Sequence, residues 1–110
     1  MREVLRTTND FTSIDHFNIK MAQSLKDMVG QTLTINKIAV GKDEDKDRHE
    51  EVPSAAFITN EGNFGTISNT VVELAYALID IINEKGPQKV QVSSRKSNGG
   101  RDYLVLTLIG

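Results

Sequence analysis

The chain has no cysteine and no tryptophan, and only six aromatic and two proline residues in 110. The missing cysteines exclude a disulfide framework and a thiolate metal site. No apolar run approaches ~18 residues, so no segment is expected to span a membrane as a helix. The opening MREVLRTTND lacks the apolar core of a secretion signal, so the expected location is the cytoplasm. An excess of basic charge is missing too. The net charge of -2 and pI near 5.6 argue against a generally basic coat for nucleic acid. At 38% hydrophobic and 25% charged residues, a chain of 12.2 kDa is expected to form one compact globular domain, residues 1–110.

The charge is unevenly distributed along the chain. Residues 1–40 carry a balance of +1, residues 41–62 of -4, residues 63–85 of -2 and residues 86–110 of +3. An acidic segment and a basic C-terminal segment thus hide behind a near-neutral total.

Residues 1–11 show no clear period and read as an arm. From Phe11, the apolar residues Ile14, Phe17, Met21, Leu25 and Met28 recur at steps of three and four, which predicts a helix over 12–28. Thr12 and Asp15 fit a capping box, and Gly30 fits a stop. Residues 31–40, QTLTINKIAV, alternate as a strand, but Leu33 and Ile35 are out of phase with Ile38 and Val40. The register therefore slips near Asn36–Lys37, the mark of a bulge or strong bend. GKDEDKDRHEE is too polar to bury and reads as a mobile loop. Residues 52–59 form a second strand and 64–67 a third, joined by the turn 60–63. Ser68, Asn69 and Thr70 are all suitable caps, Thr70 with Glu73 making a second capping box, for an apolar helix over 70–84 ended by Gly86-Pro87. A fourth strand holds Val90 and Val92. Asn98-Gly99 signals a hairpin, and residues 102–109 form the fifth strand.

A long bent first strand, a helix between strands three and four, and a terminal hairpin match a five-stranded OB-like Greek-key barrel, residues 30–110, with an additional N-terminal helix. The fold class is mainly β, and a generic α+β domain with a meander sheet is the alternative. The additional helix is placed to cap an open end of the barrel.

Catalytic signals are poor. His16 and His49 stand in no nucleophile or metal-helix pattern, and no Gly-rich phosphate loop exists. Asp43, Asp45 and Asp47 start like a calcium loop. Arg48 then stands where that pattern needs Gly, and Ser54 where it needs Glu, so no metal or cofactor is expected. The basic C-terminal hairpin is more informative. Lys89, Arg95, Lys96 and Arg101 lie in or beside the loop that borders the oligonucleotide groove of an OB-fold, where they can follow phosphates; on a solvated tip they would only discourage edge pairing. Lys37, at the bend of the first strand, is a further candidate phosphate contact. Binding of single strands also uses aromatic platforms. Phe57, Phe64 and Tyr103 lie on strands, and for each a stacking role stands beside a core role.

The segments GQTLTINKIAV, AAFITNEGNFGTISNT and KVQVSSRKSNGGRDYLVLTLIG span about residues 30–110 and resemble the small phage-type single-stranded DNA-binding proteins with an OB-fold. The resemblance implies sequence-tolerant coating of exposed single strands in replication or recombination, in the host cytoplasm. It implies single-stranded DNA and further copies of the chain as partners, with replication or recombination proteins beside them. Bacterial members of that class have an acidic C-terminal tail and a tryptophan. Neither is present here, so recruitment through a tail is not expected. The helix over 12–28 has no counterpart in the minimal fold and is a candidate for self-association or for covering the groove. The competing reading is a protein-interaction module, such as a phage-encoded modulator of a host enzyme, that uses the acidic loop 43–51 to imitate nucleic acid. An enzyme is not expected, because the acidic loop offers carboxylates without a frame to fix them.

Overall fold

The computed structural model of the chain describes residues 1–109. The elements run β1 (Glu3–Thr7), α1 (Ser13–Ile19), β2 (Gln23–Ser24), a 3-10 turn (Leu25–Met28), β3 (Thr32–Asp45), β4 (Glu50–Thr59), β5 (Gly62–Thr66), α2 (Asn69–Lys85), β6 (Gln88–Lys96) and β7 (Asp102–Leu108). The strands form one curled, mixed sheet in the order β2-β5-β4-β3-β6-β7, with β1 paired to β3. All ladders are antiparallel except β2 on β5. Among the described residues no ladder joins β5 to β7, so the curl stays open on that side.

β3 is the hinge of the sheet. Its first residues pair with β6 (Thr32↔Gln91 to Ile35↔Gln88), and the remainder pairs with β4 (Lys37↔Ile58 to Asp45↔Glu50). The register shift lies between Ile35 and Lys37, where the sequence loses its phase. Asn36 is the extra residue, and its amide donates to Asn60 Oδ1 at 2.8 Å. One inserted residue brings Leu33, Ile35, Ile38 and Val40 into the same core despite their opposite sequence parity.

That core lies on the concave side. α2 covers it with Val71, Val72, Ala75, Leu78, Ile79 and Ile82. Ser68, not Thr70, holds the N-cap, without a side-chain hydrogen bond, so the expected Thr70–Glu73 capping box does not form. Thr70 is already inside the helix. Gly86 ends α2 at φ +88, donating to the Ile82 carbonyl at 2.8 Å.

A second, smaller cluster lies on the convex side: Ile19 against Ala39 and Ala56, flanked by Met1, Val4, Phe11 and Ile58. Two expectations change here. Residues 3–7 are a strand rather than part of an arm, made possible by Gly41. A Cβ at that position would stand 1.8 Å from the Glu3 carbonyl oxygen. The helix expected over 12–28 ends at Ile19. Its capping box forms, with Thr12 N–H on Asp15 Oδ2 at 2.8 Å and Asp15 N–H on Thr12 Oγ1 at 3.2 Å. But Ile19 belongs to the convex cluster and Leu25 to the concave core, and the sheet lies between them. A straight helix cannot serve both faces, so the chain turns and runs along the β5 edge as β2.

The segment expected to be a mobile loop is instead hairpin, with only 46–49 outside the strands. Its ladder sets Glu44 opposite Glu51 and Asp45 opposite Glu50, which would be unfavourable uncompensated. Cations relieve each pair. Arg2 reaches Glu44 at 3.0 Å, Lys42 reaches Glu51 at 3.3 Å, and Arg48 lies 3.0 Å from Asp45 and 3.9 Å from Glu50. The N-terminal ammonium meets Asp43 at 3.3 Å. Hydrogen bonds from Arg48 and the Asp47 backbone hold the Asp45 carboxyl below its ordinary pKa.

Candidate nucleic-acid interface

The β6–β7 hairpin alternates as a half-buried ribbon should. Val90, Val92 and Leu106 point into the core. Lys89, Gln91, Ser93 and Arg95 share the opposite face, joined by Tyr103 through the direct pairing Arg95↔Tyr103. The loop 97–101 closes with Ser97 N–H on the Arg101 carbonyl at 2.8 Å and Gly100 N–H on the Ser97 carbonyl at 2.9 Å. Its positive φ is at Gly100, +80°, and not at Asn98 or Gly99. The loop is therefore longer than the tight Asn-Gly turn expected from the sequence.

Lys89, Arg95, Lys96 and Arg101 are all exposed. Among the described residues none has a carboxylate within 4.0 Å, although Asp102 stands opposite Lys96 in the ladder. Tyr103 is half-buried. These five expected site residues are brought together on one hairpin.

The other three lie elsewhere. Phe57 and Phe64 face each other across β4 and β5 with 0% and 2% exposure, inside the main core. Neither ring can meet a base, and the stacking reading of both is corrected to core. Phe64 follows a turn, but inward pairing with Phe57 buries it. Lys37 is not on the hairpin and is engaged within the chain. Its ammonium donates to Asp15 Oδ2 at 2.8 Å and to the Asp10 carbonyl at 3.1 Å, which fixes α1 to β3. That hydrogen bond to Asp15 raises the Lys37 pKa. Burial works to raise the Asp15 carboxyl, but the hydrogen bonds from Lys37 and Thr12 together outweigh it and hold it below the ordinary carboxylate value.

Beside the hairpin, on the open side of the curl, lies a cleft of about 900 Å³. β7 contributes Tyr103 and Leu104, the 97–101 loop Arg101, the β3–β4 tip Arg48, and the 3-10 turn Lys26. Ser68, Asn69 and Thr70 line it too, so the first turn of α2 opens into the cleft without a side-chain cap. Such a helix start favours negative charge. Lys26 and Arg48 are not apparent as site residues in the sequence, where Lys26 falls on the polar face of the helix expected over 12–28 and Arg48 in an acidic segment. The convex face of β4 and β5, by contrast, is partly covered by α1, through Ile19.

The sequence model of the phi29-type phage single-stranded DNA-binding protein family matches residues 2–109. The chain belongs to this family. A relative described as a single-stranded DNA-binding protein, from Bacillus phage B103, is 31% identical over 108 residues, which cover 96% of this chain and 75% of the relative. No solved structure matches. The family match takes in the N-terminal elements as well as the curled sheet, so β1 and α1 belong to the family's common length.

Proposed function

We propose that this chain binds single-stranded DNA without sequence preference and coats exposed strands in replication or recombination. The path β5-β4-β3-β6-β7, with α2 between β5 and β6, supports reading these elements as an OB-like Greek-key barrel left open between β5 and β7. In such a barrel the β3–β4 tip and the 97–101 loop are the two loops that flank an oligonucleotide. The strand runs over the β6–β7 hairpin and into the cleft beside it. Lys89, Arg95, Lys96 and Arg101 contact phosphates, and Tyr103 stacks on a base. Family membership supports the activity, and the observation that carries the site is the set of four cations on one hairpin that have no carboxylate partner among the described residues. A cation already neutralised by a carboxylate releases fewer counterions when it meets a phosphate. These four have their charge available, so binding is expected to weaken steeply with salt.

Fluorescence titration with labelled oligo-dT at low and moderate salt tests the reading. Saturable binding with a steep salt dependence is expected, and no binding at low salt overturns it.

A further inference from the structure

Two apolar features remain uncovered, one convex and one concave. On α1 and the turn after it, Ile14, Phe17 and Met21 are 71%, 62% and 72% exposed and lie on one face, away from the Ile19 that anchors the helix. Single exposed apolar residues are ordinary, but three adjacent ones on so short an element mark a contact surface. The concave feature is a groove of about 280 Å³ between α2 and β7, formed mainly by Leu74, Ala77, Ile81, Leu106 and Leu108. An apolar cavity of roughly 150 Å³ accommodates a benzene ring, so this groove has room for the Phe17 side chain and part of a neighbour. α1 is held on β4 and β5, and the groove lies at the β7 end of the strand order, so one copy does not fill its own groove.

The charges beside the two features match. Lys20 follows Phe17 on the knob. Glu73 and Glu84 flank Ala77 on the rim of the groove, and Lys85 marks its far end. Among the described residues Lys20, Glu73 and Glu84 have no oppositely charged partner within 4.0 Å. The geometry points to a second copy of this chain as the occupant: the α1 knob of one copy seats in the α2–β7 groove of the next, with Lys20 near Glu73. The inference rests on the proposed coating function and deepens it. A knob-to-groove contact is heterologous. Each added copy leaves one knob and one groove free, so the assembly extends as a row, as a linear strand requires.

The chain lacks cysteine, so engineered thiols report this contact without background. Lys20→Cys and Glu73→Cys variants, mixed and mildly oxidised without DNA, are expected to give mixed disulfide dimers, with far fewer from either variant alone. Dimers from Lys20→Cys alone indicate a twofold contact and overturn the proposal, as does the absence of mixed dimers. On oligo-dT long enough for several copies, Phe17→Asp and Leu108→Asp each lower affinity by about tenfold or more, and an oligonucleotide that holds one copy is bound as before. Equal binding by variant and wild type on the long strand overturns the proposal. Loss on the short strand as well assigns Phe17 to DNA rather than to a neighbour, which overturns it too. If the wild type binds neither oligonucleotide, the function fails, and the disulfide measurement still decides the contact.

Discussion

The two long hairpins are built alike and carry charge in opposite ways. β3–β4 is rich in carboxylates, but its opposed pairs are each met by a cation, from Arg2, Lys42 or Arg48. β6–β7 carries Lys89, Arg95, Lys96 and Arg101, with no carboxylate within 4.0 Å among the described residues. The acidic hairpin is thus largely neutralised from within, and the basic one keeps its charge for a ligand. Net charge by segment does not reveal this. What decides whether a charge can act on a partner is whether the fold has already supplied one.

The strongest test of this contrast is charge reversal. Arg95, Lys96 and Arg101 changed together to Glu should abolish most binding to oligo-dT at moderate salt. The slope of log affinity against log salt should fall by about 2, at roughly 0.7 per phosphate contact on a single strand. A slope that stays unchanged in salt titrations would place the DNA on another face. Next in size is Tyr103→Ala, expected to cost about 1–3 kcal/mol of binding with the salt slope preserved. Tyr103→Phe should keep most of the affinity. A thermal melt of the same variants separates lost stacking from lost folding, because Tyr103 is half-buried.

Acid should divide the hairpins. Asp45 and Asp15 have pKa values held below the ordinary 3.8. Their contribution to stability is complete above that value and disappears as pH falls through the lower native values. Amide protection, taken relative to the intrinsic exchange rate at each pH, should therefore fall at the β3–β4 tip and in α1 before it falls in β6. A simultaneous fall everywhere would mean that these carboxylates do not stabilise their own regions. The smallest effect is expected from Arg48→Ala. It should loosen residues 46–49 and change the salt slope for DNA little, because Asp45 and Glu50 already neutralise this cation. A large loss of affinity would instead show that Arg48 exchanges its carboxylates for phosphate.

Much of the fold is legible in the chain's local patterns. The phase change at Asn36–Lys37 marks the bulge, because a buried strand face must be reset when a residue is inserted. Thr12 and Asp15 mark a helix start, and the stripe from Val71 to Ile82 marks α2, because both depend on neighbours within a turn or two. What stays hidden depends on distant partners. Nothing local in residues 3–7 predicts a strand, since its pairing needs Gly41. The stripe Phe11 to Met28 is regular, but its residues divide between two faces of a sheet that the stripe itself does not encode.

The candidate site follows the same division. Composition and spacing alone place unusual positive charge on a C-terminal hairpin beside a tyrosine, because strand alternation and turn chemistry are short-range. Only the folded chain could separate Tyr103, at the surface, from Phe57 and Phe64, paired in the core. Only the fold could engage Lys37 with Asp15 and leave Arg95, Lys96 and Arg101 without a carboxylate partner among the described residues. Burial and charge pairing are made by residues far apart in the sequence, and they determine which of the candidate side chains are free to meet a ligand.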